Sequence, residues 1–147
     1  MNIKDINIKL LNEKAIVPTY GSTYSAGADL YACIDEEITI NPNETAFIGT
    51  GISFEIPTGF VGLVYARSSL GCKKGLNPSN KVGVIDSDYR GELIVALHNH
   101  SNETHKINPN DRIAQIVFTP YLKGNFCISD ELEETDRGNG GFGSTNK

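Results

Sequence analysis

Three short stretches of this chain carry side chains suited to phosphate and ring recognition. The C-terminal run Arg137-Gly138-Asn139-Gly140-Gly141-Phe142-Gly143-Ser144-Thr145-Asn146-Lys147 places an arginine, an aromatic ring and two hydroxyls among four glycines. So glycine-rich a segment holds no fixed shape alone. Its arginine, hydroxyls and backbone N–H groups suit phosphate oxygens, and a lone phenyl between glycines can lie flat on a base or sugar. Phosphate plus ring points to a nucleotide; the ordinary alternative is a disordered glycine-rich tail. Gly138, Gly140 and Gly143 also satisfy G-x-G-x-x-G, but that fingerprint works between a strand and a helix, and only four residues follow Gly143. A P-loop fails too, because Ser144 stands where its lysine is required.

The second stretch, Val84-Ile85-Asp86-Ser87-Asp88-Tyr89-Arg90-Gly91-Glu92-Leu93, reads as strand, tight turn, strand. A hairpin exposes backbone N–H and C=O groups that can read a base edge, with Asp86 and Tyr89 projecting at its end. Turn-capping aspartates and sheet tyrosines are equally ordinary. The third, Ala66-Arg67-Ser68-Ser69-Leu70-Gly71, follows a strand and opens a possible helix, where hydroxyl and N–H groups can hold phosphate beside Arg67. As a helix N-cap, Ser68 or Ser69 needs no ligand.

The elements that must position these groups are strands. Ile38–Ile40, Ala46–Ile48, Ile52–Ile56, Val61–Tyr65, Leu93–Leu97 and Arg112–Phe118 carry strand chemistry, separated by the turn residues Asn41-Pro42-Asn43, Pro57-Thr58-Gly59, Asn77-Pro78-Ser79-Asn80 and Asn108-Pro109-Asn110-Asp111. Only Arg67 to Lys74 lacks both alternation and proline, and it predicts a short helix. Many short strands at near-regular spacing predict an all-β fold, a jelly-roll-like β-sandwich or distorted barrel. From Asp130 the chain turns acidic and then glycine-rich, so residues 1–129 are expected to form the β domain and 130–147 a flexible C-terminal arm.

Composition narrows the partner. The 147 residues carry a net charge of −5 with Lys and Arg scattered, which provides no basic face for a nucleic-acid polymer. A free nucleotide bound with a divalent cation suits that balance better. A domain of this size has little room for a deep private site, so sites shared between subunits are plausible. Cys33, Cys72 and Cys127 lack C-x-x-C spacing and are odd in number, which argues against a disulfide framework or zinc ribbon and for a reducing, cytoplasmic setting. No apolar run reaches membrane-spanning length, and the opening Met1-Asn2-Ile3-Lys4-Asp5 has no signal core. His98 and His100 alternate along a strand with His105 beyond, but no acid or cysteine at suitable spacing completes a zinc site.

Taken in order, Ser25–Leu30, Ala66–Gly71, Gly83–Gly91, Arg112–Phe118 and Arg137–Thr145 resemble the five motifs of the homotrimeric dUTP diphosphatase (dUTPase) family. The resemblance spans nearly the whole chain. It implies a jelly-roll homotrimer with three active sites, each assembled from all three subunits. Its activity is hydrolysis of dUTP to dUMP and pyrophosphate, keeping uracil out of DNA and supplying dUMP for thymidylate synthesis. By matching position, Asp86 resembles the general base that activates water against the α-phosphorus; Asp88 lies two residues on, and only the family match selects Asp86. Tyr89 resembles the ring beneath the deoxyribose that excludes a ribose 2′-hydroxyl. Uracil would pair with the backbone around Gly83, Val84 and Ile85 and with the Asn80 side chain. Arg67, Ser68, Ser69 and Gln115 resemble the phosphate-contacting set. Asp29 resembles the acid that supports Mg²⁺ through water or braces the neighbouring hairpin, unless it is simply a turn aspartate. In the arm, Phe142 resembles the ring covering uracil, with Gly143 beside it, and Arg137, Ser144 and Thr145 resemble the γ-phosphate clamp.

Two residues depart from the family pattern without removing a reacting group, and one of them, Ser69, points to a rival. Ser69 stands where the family commonly has glycine, and Asn146 where the arm commonly ends in glycine. Arg-Ser-Ser is the pattern of the related dCTP deaminases, which share the fold. Those enzymes, however, have a second arginine where this chain has Cys72 and a catalytic glutamate where it has Ala96, so the deamination proton shuttle is missing, for a bifunctional deaminase as well. A non-catalytic nucleotide-binding regulator would be expected to lose a reacting residue, yet Asp86, Arg67 and the arm are present.

Overall fold

The computed structural model describes residues 4–143. Among them, twelve strands and one helix follow in order: β1 Asn7–Leu10, β2 Thr19–Tyr20, β3 Ala28–Tyr31, β4 Ile38–Ile40, β5 Thr45–Gly49, β6 Ile52–Glu55, β7 Phe60–Tyr65, α1 Ser68–Lys74, β8 Leu76–Pro78, β9 Gly83–Ile85, β10 Ile94–Asn99, β11 His105–Ile107 and β12 Arg112–Pro120. All pairings are antiparallel. The largest sheet runs β2-β3-β12-β7-β9, and a second runs β5-β10-β8, with β1-β6 and β11-β4 as two-stranded ribbons. They close around one core that includes Leu30, Ile48, Leu97, Ile113 and Ile116, all with no accessible surface. The fold is an all-β jelly-roll sandwich, as the strand pattern predicts. Among the described residues no helix is long and apolar enough to cross a membrane.

Turn chemistry places the strand ends. Asn43 and Asn110, the second asparagines of the two Asn-Pro-Asn turns, sit at φ 64° and 67°, a region asparagine tolerates. The predicted helix is present; it stops at Gly75, whose φ of 66° lets its N–H reach the Leu70 carbonyl, and Lys73 and Lys74 complement the helix C-terminus.

The expected hairpin across Asp86 is corrected by the topology. β9 pairs with β7 in the large sheet, whereas β10 pairs with β5 and β8 in the other, so the two strands diverge after the turn. A cleft opens between them where a hairpin would have closed. The last strand ends at Pro120, and residues 121–139 are exposed and outside any strand or helix.

Candidate active site

The predicted site residues fall into three groups. The first gathers at the C-terminal end of β7. Strand β12 sets Gln115 opposite Asp29 of β3 on one side and Tyr65 of β7 on the other, and Arg67 leaves β7 two residues later. Arg67 donates from Nε to Asp29 Oδ1 at 2.7 Å, and Arg112 approaches Asp29 Oδ2 at 3.3 Å. Arg67 also reaches the Ser69 hydroxyl at 3.2 Å, and the Gln115 amide donates to the Ala66 carbonyl at 2.9 Å. The Gln115 side chain lies over Gly27, where an added Cβ would stand 3.1 Å from its Cδ, so the small residue there makes room for it. Ser68 and Ser69 open α1 with exposed hydroxyls. The arrangement presents a preset guanidinium, hydroxyls and helix N–H groups to an anion. Its acid braces two arginines. Local sequence assigns Arg112 no role of its own, because it meets Asp29 only through the long-range pairing of β12 with β3.

The second group lies at the other end. Gly83 of β9 stands opposite Val64 and Ile85 opposite Gly62, so Asp86, one residue further, comes level with the start of β7. At about 3.3 Å of rise per residue, the six steps from position 61 to Arg67 separate the two groups by roughly 20 Å of backbone. Asp86 is exposed, and among the described residues its carboxylate accepts no hydrogen bond; its carbonyl takes the Tyr89 N–H at 3.2 Å, closing the turn. Asp86 and Tyr89 border a cleft of about 190 Å³ with Val84, Ile85, Glu92 and Ile94. A second opening of about 110 Å³, between β9 and β10, is bordered by Asn80, Gly83, Val84, Ile85, Val95 and Ala96. Arg67, Ser68, Ser69 and Gln115 border neither cleft.

The third group is the arm. Arg137 Nε donates to the Gly140 carbonyl at 2.9 Å inside its own turn, Phe142 is fully exposed at φ 51°, and Gly143 has φ 89°. Ser144 and Thr145 lie outside the described residues. No described side-chain hydrogen bond or ion pair links residues 122–143 to the sandwich.

Among the described residues of one chain the donor set builds no Mg²⁺ site held by protein ligands alone. No cluster of three His, Cys, Asp or Glu side chains exists among the described residues, and both oxygens of Asp29 already face arginines. Away from these groups, burial pushes the Cys33 thiol up, and partial desolvation with the charges of Lys81 and His98 pushes His100 down.

By its sequence profile and its relatives the chain is a nucleotide hydrolase. More narrowly, the chain belongs to the dUTPase family, whose sequence profile matches residues 13–146. It is 43% identical over 145 residues to the deoxyuridine 5′-triphosphate nucleotidohydrolase of Paraburkholderia phytofirmans, covering 97% of this chain and 98% of that one. It is 50% identical over 130 residues to the enzyme of the same name from Desulfitobacterium hafniense, covering 88% and 86%. Among solved structures it superposes on the dUTPase of Staphylococcus bacteriophage 80alpha bound to dUpNHpp with a TM-score of 0.88, at 28% identity, over 99% of this chain and 100% of that one. A mutant dUTPase from phage phi11 of S. aureus, described with a coordinated structural Mg(II) ion, matches at 0.79 and 27% identity, over 89% of this chain and 100% of that one.

Proposed function

We infer that this chain hydrolyses dUTP to dUMP and pyrophosphate. Uracil enters the opening between β9 and β10, where the backbone of Gly83, Val84 and Ile85 and the Asn80 amide offer fixed donors and acceptors that distinguish a 4-oxo from a 4-amino edge. Tyr89 lies beneath the deoxyribose, where a 2′-hydroxyl meets a ring that cannot pair with it. Asp86 takes a proton from water as its oxygen bonds to the α-phosphorus; the bond from that phosphorus to the bridging oxygen breaks, and pyrophosphate departs. Arg67, Ser68, Ser69 and Gln115 hold the phosphates and absorb developing charge. The observation that carries this reading is the meeting of Asp86 and Tyr89 on the rim of one cleft.

Because Asp86 and Arg67 of one chain stand at opposite ends of β7, one nucleotide draws its base pocket and its phosphate clamp from different copies. That separation supports the homotrimer with shared sites. Residues 130–147 act as the closing arm over the 1–129 domain, with Phe142 over uracil, Gly143 beside it, and Arg137, Ser144 and Thr145 on the γ-phosphate; closure excludes bulk water. Exposed Leu122, Phe126, Ile128 and Leu132 along the way support a course over another subunit. A Mg²⁺ ion, when bound, would supply positive charge against the leaving pyrophosphate. Asp29, braced by Arg67 and Arg112, supports such an ion through water at most. Cys33, Cys72 and Cys127, all free, support a cytoplasmic setting.

Ala96 borders the uracil opening, so position 96 supplies no acid there for dCTP deamination. Offering dUTP, dCTP, UTP and dTTP separately with Mg²⁺ and assaying pyrophosphate and ammonia tests the assignment. Pyrophosphate from dUTP alone is expected. Ammonia from dCTP would make the chain a deaminase, and no product from any of the four would make it a binding protein.

A further inference from the structure

We propose that Glu92 is a positioning residue that sets the sugar selectivity of the site by mooring the Tyr89 ring to the turn between β5 and β6. It rests on the assignment of Tyr89 to the deoxyribose. Tyr89 is nearly half exposed, yet its ring is not free: the hydroxyl donates to the Glu92 carbonyl at 2.9 Å. The ring folds back over Gly91, where an added Cβ would stand 2.5 Å from Cζ, so only glycine leaves space for that tether. The position of the ring is therefore as fixed as residue 92.

Residue 92 is held by its own side chain and by the peptide it shares with Leu93. The Glu92 carboxylate turns away from the tyrosine and accepts the N–H of Gly51 through Oε1 at 2.9 Å. Gly51 is buried at φ 68°, a conformation that favours glycine, and a Cβ on Gly49 would stand 2.5 Å from the same Glu92 oxygen. The turn between β5 and β6 is shaped around this acceptor. Next along the chain, Leu93 locks into the same turn: its carbonyl accepts the Thr50 N–H at 3.1 Å and the Thr50 hydroxyl at 2.6 Å, and its N–H donates to the Ile52 carbonyl at 2.8 Å. Across the loop, Arg90 donates to the Ser87 carbonyl at 2.7 Å. The segment from Asp86 to Leu93 thus hangs between β9 and the β5–β6 turn, and among its own described side chains Glu92 is the one that bonds to that turn, beside the Thr50 hydroxyl that reaches back to the Leu93 carbonyl.

Removing the carboxylate leaves a buried Gly51 N–H without its acceptor and loosens one of the two anchors of the peptide that holds the Tyr89 hydroxyl, the other being the Leu93 N–H on the Ile52 carbonyl. A ring displaced by a fraction of an ångström still covers the sugar but no longer abuts the 2′ position. Ribose is then admitted while the chemistry at Asp86 continues.

The test is kcat/KM for dUTP and for UTP in the wild type, E92A and E92Q, with thermal melts on each. E92A is expected to lower the dUTP/UTP ratio about tenfold, the loss falling on discrimination more than on kcat for dUTP. E92Q keeps an oxygen for the Gly51 N–H and is expected to retain the wild-type ratio. An active, selective wild type with an equally selective E92A, merely melting lower, overturns this proposal alone, as does an E92Q as unselective as E92A. A wild type inactive on dUTP overturns the assignment beneath it and this one together. Should E92A not fold, Y89F, which removes only the tethering hydroxyl, must lose the same selectivity; an unchanged ratio in Y89F overturns the proposal.

Discussion

Arg67 and Arg137 are both arginines suited to phosphate, and the chain treats them oppositely. Arg67 is largely buried, its guanidinium set against Asp29 at 2.7 Å and reaching Ser69, so its orientation is fixed when the domain folds. Among the described residues the Arg137 side chain bonds the Gly140 carbonyl of its own turn, in a segment whose Phe142 is fully exposed. A preset group contributes its full electrostatic effect with little reorganisation. A group on a segment without such anchors is ordered by a ligand it meets only at the cost of conformational entropy. The Asp86 turn belongs with the anchored region, held by β9 on one side and by Leu93 and Glu92 on the other.

The contrast can be broken by substitution. The largest effect is expected for Asp86→Asn: steady-state kinetics should give a loss of about 10²- to 10⁴-fold in kcat, the span typical of a general base. Calorimetric binding of a non-hydrolysable dUTP analogue should change little, because the turn keeps its backbone bonds. A variant within tenfold of wild-type turnover would remove Asp86 from the chemistry. Deleting residues 137–147 comes next, with an expected fall of about 100-fold in kcat, as for lost closure and alignment, and no change in melting temperature. A lower melting temperature would mean the arm holds up the sandwich and does not act as a lid. Arg67→Lys should have the smallest effect, about tenfold in kcat/KM for dUTP, since an ammonium keeps the charge but not the fork that fits carboxylate and phosphate. Unlike the deletion it should also lower the melting temperature, because Asp29 loses its short partner; unchanged stability would show that the brace adds nothing.

Much of this was legible in the chain. Alternation and Asn-Pro turns located β4, β5, β6, β7, β10 and β12, and the absence of alternation after Arg67 located α1. β2 and β8 escaped because two- and three-residue strands are too short to show a period, and β3 because Ala28-Asp29-Leu30-Tyr31 mixes a carboxylate into the pattern. That carboxylate is tolerated because Arg67 and Arg112 meet it across the sheet, a long-range pairing no local window contains. For the same reason a hairpin was expected around Asp86. Local residues encode the turn, but the partners of β9 and β10 lie elsewhere in the chain, and they pull the strands apart. The mooring of Tyr89 through Glu92 depends likewise on the distant Gly51.

The central claim is that water attacks the α-phosphorus of dUTP. Hydrolysis in oxygen-18 water, followed by mass spectrometry of both products, tests it most directly. The heavy isotope should appear in dUMP and be absent from pyrophosphate; label in the pyrophosphate would place the attack at the β-phosphorus and contradict the role given to Asp86.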